Sequence, residues 1–443
     1  MTHSFNSEIL IVGAGPVGSY LGWKLAKAGC EVLLLEAKSV AGLGAHIEIV
    51  HMDQVCFDEL DIPHPVPSEL IHLVPAYKVW SVDGRDYFEV DYPVYIVNLP
   101  AYIQRLHGYL LQAGGKLEEH ARVEGVIIED SFVKGVHGTL NGIRFEAHAR
   151  IIVDASGIVG AVRTRLPDSF GIENTTVPPE QTFFCALELR DELPPGLPTG
   201  NNTFLGAPGF WNRSYGEGAI LGLINSGSQE AAWKAHRAWR ESFYGDPGRL
   251  VGKRIGSAPY RRAPASLVGN GFAGIGDCVY QNKAFSGEGI TSGTTASKIA
   301  CEVLLNALER GNVSREALWD YNLRYFRGQG AKFASVMGFL FPVNNLPRKD
   351  LDFLYQHKII FSTNDQQYLN LNYEFDLPPE RWEAICTQLE TGVKDGDFSE
   401  QSTQTMKDLY AYSTRLKTHY LGYPETPVSL PTWWETTRTL WGY

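Results

Sequence analysis

The stretch EILIVGAGPVGSYLGWKLAKAGCEVLLLE constrains the fold most strongly. A continuous apolar run reads as a buried strand. It enters Gly13-x-Gly15-x-x-Gly18, then a helix stopped by Gly29, then a second apolar strand ending in Glu36. This is one βαβ unit. Gly13 makes the tight turn, Gly15 lets the backbone approach a pyrophosphate, and Gly18 lets the helix pack closely on the strand. The helix N-terminus brings unpaired N–H groups and a positive dipole end to the phosphates. Glu36 stands where a carboxylate accepts from an adenosine ribose hydroxyl. The unit by itself does not choose between NAD and FAD.

The 443 residues exceed what one hydrophobic core usually serves, so two compact units with extensions are expected. Acidic residues outnumber basic ones, 50 to 39, and the formal net charge of −11 argues against a nucleic-acid partner. Six cysteines without a C-x-x-C pair signal neither a zinc site nor a disulfide framework. No H-E-x-x-H spacing occurs, so no metal is expected. MTHSFNSEIL reaches the first strand without the charged and apolar regions of a signal peptide. No apolar run is long enough to span a bilayer. A cytoplasmic location is therefore expected, with contact at a membrane surface left open.

Two later segments settle the cofactor. RIIVDASGIVGAVRTRL, at 150–166, is an apolar strand running into Asp154-Ala-Ser-Gly157 and a helix start, and GNGFAGIGD, at 269–277, is a third strand closing on Asp277. Taken with the first turn, they resemble the three FAD motifs of the para-hydroxybenzoate hydroxylase superfamily over roughly the first three quarters of the chain. GDCVYQNKAFSGEGI followed by TSGTTASKIACEVLLNAL is most similar to the geranylgeranyl reductase branch, whose pattern is G-D-A, a spacer, then G-E-G-I opening a long helix. The resemblance implies that Asp277 bonds the ribityl chain. It also implies that Gly287, Gly289 and Ile290 bring backbone N–H groups to the flavin pyrimidine, where a helix N-terminus stabilises negative charge. Ser286 is a candidate N-cap for that helix. PYRRAPASLVGNGFAGIGD and ALWDYNLRYFRGQGAKF, with Tyr321, agree with the same branch.

The departures are as specific. Where the branch carries an Arg at the start of the helix matching VNLPAYIQRLHGYLLQAGG, this chain has Asn98 and Leu99, with Arg105 as the candidate replacement or as a solvated helix-face residue. The Cys-Gly pair of archaeal members is replaced by GLGAHIEI, and their Y-x-W-x-F-P signature is only echoed by GFWNRSYGEGAILGLI. The Lys and W-x-W-x-I-P stretch of halogenases are not found.

The implied fold class is α/β, a Rossmann-like FAD-binding domain with an interleaved antiparallel β-sheet substrate domain and a C-terminal extension. The FAD-binding domain takes 1–75, 98–180 and 264–333, the substrate domain 76–97 and 181–263, and the extension 334–443. AYKVWSVDGRDYFEVDYPVYIV turns at Asp83-Gly84 in a hairpin pattern. Trp80, Phe184, Phe204 and Trp211 are candidates for the inner wall of the substrate sheet or for ordinary sheet core. Trp433, Trp434, Trp441 and Tyr443 end the chain as a membrane-surface anchor, a subunit contact or a cover for their own domain. His46 lies in the loop after the second strand that passes near the isoalloxazine in this fold, and it is a candidate to donate a proton or bond the flavin, or else a surface-loop residue, with His51 sharing the ambiguity. The expected function is reduction or dehydrogenation of a carbon–carbon bond of a hydrophobic, isoprenoid-like small molecule by hydride transfer through flavin N5, with NAD(P)H or ferredoxin as donor. An NAD(P)H-dependent aromatic monooxygenase and a non-catalytic flavin-binding assembly partner are the alternatives.

Overall fold

The computed structural model describes residues 2–192, 199–206, 209–215, 218–243, 248–283 and 286–442. It contains two eight-stranded sheets. The first runs Val268–Gly269, Phe272–Gly274, Ile143–Asp154, His3–Val12, Val32–Leu35, Lys116–Glu118, and a hairpin of Ala121–Glu129 and Phe132–Leu140 adds to Ile143–Asp154. His3–Val12 pairs in parallel with both neighbours, so Val12 stands beside Leu35 on one side and Asp154 on the other. Gly274 registers with Asp154 in turn. The loops after all these strands therefore leave from one sheet edge, where ligands bind in open parallel sheets.

The unbroken apolar run of the first strand has a direct cause. Ile9 and Ile11 bury into the core formed with helices Pro16–Lys27 and Ile290–Glu309, while Leu10 and Val12 bury into the opposite layer with Val133, Val136 and Ile152. A strand covered on both faces cannot alternate.

The second sheet runs Leu250–Pro259, Thr182–Arg190, Gly218–Ser226, Gly209–Tyr215, Asn201–Phe204, Leu70–Trp80, Tyr87–Asn98, Ile49–Asp53. Its pairings are antiparallel except for Asn201–Phe204 beside Leu70–Trp80. The Asp83-Gly84 hairpin forms as expected: Ser81 Oγ donates to Asp83 Oδ1 at 2.7 Å and Gly84 takes φ +69°. Ile49–Asp53 joins this sheet although it precedes the expected first substrate segment, so the sheet draws on the chain before residue 76.

The residues after 333 are helical: Ala331–Val343, Arg348–Gln356, Thr363–Asn372, Pro379–Asp395, Glu400–Leu421 and Leu430–Trp441. Capping residues set several ends, with a Ser362/Asp365 capping box and Gly396 at φ +75° after Pro379–Asp395. Phe339, Leu351, Phe353 and Trp382 from these helices pack on Val74, Val79, Val90 and Ile96 of the second sheet. The expected helix through ALWDYNLRYFRGQGAKF instead breaks at Gly328, whose φ −98° and ψ −106° are not helical.

Leu430–Trp441 folds back on the core. Trp433 is buried among Phe326, Tyr423 and His419, and its indole N–H donates to the His419 carbonyl at 3.0 Å. Trp434 lies under Arg262, whose guanidinium carbon is 4.1 Å from the ring centroid. Tyr443 lies outside the described residues. Among the described residues, no helix is long and apolar enough to cross a membrane, and no group of three or more His, Cys, Asp and Glu could hold a metal ion.

Candidate cofactor and active site

Three loops meet at the edge of the first sheet. In the first, Gly13 takes φ +109°, and a Cβ there would lie 2.4 Å from the Ala155 carbonyl oxygen. A Cβ on Gly18 would lie 2.1 Å from the Gly13 carbonyl oxygen. Only glycine fits at either position. Around Gly15 a Cβ would meet nothing within 4 Å, so this side of the turn is open. Gly15 is the N-cap of helix Pro16–Lys27 and no side chain caps it, which leaves the helix N-terminus to a ligand.

Glu36 is buried and bonds this turn from below. Its carboxylate accepts from Ala14 N at 3.0 Å and from Lys38 N at 2.9 Å. His107 braces the other side, with Nε2 2.9 Å from the Ala14 carbonyl. Burial lowers the pKa of His107, so the neutral ring donates to that carbonyl. Arg105, from the same helix Leu99–Gln112, points elsewhere. Its guanidinium closes on Glu69 at 2.8 and 2.6 Å and on the Pro63 carbonyl at 2.9 Å. The strong bidentate pair with a buried carboxylate holds it away from the turn. Asn98, expected to have replaced a cofactor-contacting Arg, serves as N-cap and accepts from Ala101 N at 3.0 Å.

The second loop is organised by Asp154, which is fully buried. Its carboxylate accepts from Ser156 N at 3.0 Å, Ser156 Oγ at 2.6 Å, Val162 N at 2.9 Å and Arg163 N at 2.7 Å. These bonds fold D-A-S-G into short 3-10 turns, Gly157–Val159 and Arg163–Arg165, where an α-helix start was expected. With Asp154 engaged on its own loop, the part left facing outward is Gly157, at φ +69° with open space where a Cβ would stand.

The third loop begins at Asp277, in the turn Gly276–Val279. Arg163 Nε donates to the Cys278 carbonyl at 2.5 Å and Cys278 Sγ to the Asp154 carbonyl at 2.9 Å, tying this loop to the second. Burial pushes the Asp277 carboxyl up to about 6, although the residue keeps partial exposure. Gly287 takes φ +73°, and helix Ile290–Glu309 starts from Gly289 as N-cap with no side-chain cap. Ser286 is not the cap; its Oγ is buried without a partner. Residues 284 and 285 lie outside the described set.

Behind Gly287–Ile290 the structure assembles a charged group that the sequence reading did not bring together. Lys283 Nζ lies 2.9 Å from Asp53 Oδ2 and 3.1 Å from Glu288 Oε2, and 4.7 Å from the Tyr373 ring centroid. His51 Nε2 pairs with Glu288 Oε1, and Thr291 Oγ1 is 3.4 Å from Asp53. Burial works against the charge on Lys283, but Asp53 and Glu288 outweigh it and hold the ammonium well above the usual lysine range. For Glu288 burial is likewise outweighed, here by His51 and Lys283, and the carboxyl is held well below its usual range. Arg213 completes the group from the second sheet, bonded to Asn201 at 3.0 Å and pushed down to about 10 by burial. Lys283 carried no pattern of its own in the sequence, and Asp53 is 230 positions away.

His46 is exposed on the loop after Val32–Leu35, where partial cover by its surroundings and the charge of Lys38 lower its pKa. The aromatic candidates divide. Trp80 stacks on Phe204 at 5.8 Å and both lie against Trp239 of helix Gln229–Phe243, so they form sheet core under that helix. Trp211 covers Gly222 and lies 4.4 Å from the Arg213 guanidinium carbon. A Cβ on Gly287 would instead sit 3.8 Å from Phe183 and from Ile224, and Phe183 stacks in turn on Tyr260 at 4.2 Å and on Phe341 at 5.1 Å between ring centroids.

Comparison with known proteins agrees with this architecture. A profile for the NAD(P)-binding Rossmann-like domain matches residues 11–82. The chain is 23% identical over 441 residues to the digeranylgeranylglycerophospholipid reductase of Sulfolobus acidocaldarius, covering 96% of this chain and 95% of that one. Among solved structures, a geranylgeranyl bacteriochlorophyll reductase-like protein from Thermoplasma acidophilum superposes with a TM-score of 0.74 at 17% identity, covering 87% of this chain and all of its own. The flavin-dependent brominase Bmp2 superposes at 0.66 and 16% identity, covering 88% of this chain and 99% of its own. The chain thus has the flavoprotein fold shared by geranylgeranyl reductase-like proteins and flavin-dependent halogenases, and its resemblance to the reductase branch extends over nearly its whole length.

Proposed function

We propose that this chain is an FAD-dependent oxidoreductase that reduces, or in reverse dehydrogenates, carbon–carbon bonds of an isoprenoid substrate. The observation that carries the reading is the convergence of the Gly13–Gly18 turn, the Asp154 loop and the Asp277–Gly289 segment at one sheet edge, beside a second sheet that can hold a hydrophobic molecule. The group fits: the turn is open at Gly15, the helices Pro16–Lys27 and Ile290–Glu309 begin without side-chain caps, and Asp277 is partly exposed. The full-length similarity to a reductase named for a digeranylgeranyl lipid supports the substrate class.

When bound, FAD supplies the two-electron exchange with the carbon–carbon bond. The protein does the positioning. The N-terminus of Pro16–Lys27 would hold the pyrophosphate, Glu36 the adenosine ribose, and Asp277 the ribityl hydroxyls. The N–H groups at Gly289 and Ile290 would serve the pyrimidine and favour negative charge there, whereas the Gly287 N–H, expected to join them, donates to the Lys283 carbonyl at 2.7 Å. Phe183, Tyr260 and Phe341 give the substrate side an apolar wall that excludes water. Either NAD(P)H or ferredoxin serves as donor, since the fold needs no separate nicotinamide domain.

The test is to load the protein with FAD, reduce it anaerobically with dithionite, and add a digeranylgeranylglycerophospholipid in detergent. Product should gain two hydrogens per double bond, with the flavin reoxidised in step. A hydroxylated product from an added phenol on admitting oxygen, with no lipid reduction, would replace this reading by the monooxygenase one. Flavin that neither dithionite-driven turnover nor any donor engages would leave a binding protein only.

A further inference from the structure

We propose that Arg213 is a specificity-determining residue of the substrate space, where its guanidinium binds an oxyanion at the polar end of the isoprenoid. The substrate is then a prenyl chain that carries a phosphate or carboxylate, not a bare hydrocarbon or alcohol. The inference rests on the function proposed above and names the substrate class of the same site.

Strand register puts Arg213 on the face of the second sheet that meets the cofactor segment. Arg213 stands opposite Ile220, Trp211 opposite Gly222 and Gly209 opposite Ile224, and directly opposed residues share a face. Side chains alternate along a strand, so Ile220 and Ile224 lie on one side of the sheet. A Cβ on Gly287 would meet Ile224 and Phe183 at 3.8 Å, which makes this the side turned toward Gly287. The opposite side, with Phe204 and Leu223, is covered by Trp239 of helix Gln229–Phe243. Around Arg213 the inward face is apolar, formed by Leu187, Leu189 and Ile220 with Trp211 packed against them.

On that apolar face the guanidinium is buried and only partly bonded. Arg213 is 7% exposed; its Nε donates to Asn201 Oδ1 at 3.0 Å, and its guanidinium carbon lies 4.4 Å from the Trp211 ring centroid. Its two terminal nitrogens have no acceptor among the described residues. The indole behind it is fixed by Gly222, where a Cβ would lie 2.2 Å from the ring. Glu288 and Asp53 are the carboxylates whose charge reaches Arg213, but Glu288 is taken by His51 and Lys283, and Asp53 by Lys283. Their fields do not make up for burial, which pushes the Arg213 pKa down to about 10. The remaining N–H donors form a planar fork that matches two oxygens of a phosphate or carboxylate. The charges of Asp53 and Glu288 are offset by Lys283 and Arg213 together, so one oxyanion on Arg213 meets no net repulsion from the group. A neutral chain laid over the same face would leave those donors buried and unpaired.

The experiment titrates geranylgeranyl phosphate, geranylgeraniol and inorganic phosphate into FAD-loaded full chains by calorimetry, in wild type, Arg213→Met and Arg213→Gln. Wild type should bind the phosphate ester on the order of 10- to 100-fold more tightly than the alcohol. Arg213→Met should lose that preference while binding the alcohol at least as well as wild type, which shows an intact pocket. Arg213→Gln keeps a hydrogen-bonding head without the charge and should lose the preference as well, so the result does not hang on one variant folding. In turnover with dithionite the loss should appear in KM for the phosphate ester and not in kcat. An unchanged preference in either variant, or equal binding of ester and alcohol by wild type, overturns the proposal and leaves the reductase reading standing. Inorganic phosphate that binds through Arg213 as tightly as the ester identifies a free anion as the occupant and overturns it too. A wild type that binds neither prenyl compound counts against the parent reading, and the proposal falls with it.

Discussion

Gly289 lies so close to Asp277 that a Cβ on the glycine would sit 2.6 Å from the Asp277 carboxylate oxygen. The contact couples the residue proposed for the ribityl chain to the backbone proposed for the ring. Asp277→Ala should purify partly free of FAD and regain colour when FAD is added, because a lost hydrogen bond is offset by ligand concentration. Gly289→Val should not regain it, since the branched side chain stays in the way at every concentration. Equal FAD affinity in both variants and wild type, measured by fluorescence titration, would remove this segment from the site.

The raised carboxyl of Asp277 gives a pH test in the FAD-free protein. A folded-state value of about 6 against an ordinary 3.8 means that folding favours the neutral acid. That contribution is complete below 3.8 and is lost as pH rises through about 6. Asp277→Asn, which cannot ionise, should therefore melt higher than wild type at pH 8 and near it at pH 4. Identical melting differences at both pH values would mean that the carboxylate is well solvated.

Glu36 joins fold and ligand in one side chain, so its removal should register in both. Glu36→Ala leaves the buried Ala14 N–H without its acceptor and should cost about 1–3 kcal/mol of stability in the FAD-free chain. FAD retention should weaken in addition, and Glu36→Gln should recover most of the stability and less of the affinity. Calorimetry with and without FAD separates the two effects.

What could be read from the sequence was what local physics dictates. An apolar strand covered on both faces, three glycines with distinct steric duties and an acid at the next strand end specify the βαβ unit without reference to the remaining chain. Asp154 shows where such reading stops. Its position in D-A-S-G was visible, but the four donors gathered by its carboxylate depend on how residues 156–163 coil back. The Asp53–Lys283 pair was out of reach for a different reason, since a salt bridge has no periodicity and its partners are 230 positions apart in the chain. Arg105 looked available because Glu69, which holds it, is distant in sequence. The helices after 333 were obscured by their mixed composition, and the register that buries Phe339, Phe353 and Trp382 on the second sheet is tertiary.

The aromatic end of the chain offers a direct choice between anchor and cover. Trp433 stacks on His419 at 4.7 Å between ring centroids and fills a space bounded by Phe326 and Tyr423. Trp433→Ala should lose about 3–5 kcal/mol, the usual cost of emptying a buried aromatic site. Ending the chain before Trp433 should lower the melting temperature as well, with liposome association unchanged because an acidic chain is repelled by anionic lipid. Loss of liposome association at an unchanged melting temperature would reverse this assignment.

Lys283 gives the sharpest stability test, because it is 2% exposed and holds two carboxylates at once. Replacing it with Met strands Asp53 as an uncompensated buried charge, which should cost about 3–5 kcal/mol. Adding Asp53→Asn to Lys283→Met should restore part of that loss, since the stranded charge is then gone, and the double-mutant cycle measures the coupling. The acid limb of wild-type stability follows from the same group. Glu288 is held well below its ordinary value of 4.5, so its contribution is complete above that value and is lost as pH falls toward the depressed one. Glu288→Gln should therefore flatten the fall in melting temperature below pH 4.5 while lowering stability at neutral pH. An unchanged acid slope in Glu288→Gln, together with no recovery in the Lys283/Asp53 double variant, would mean that these charges are screened by water and do not act as one buried network.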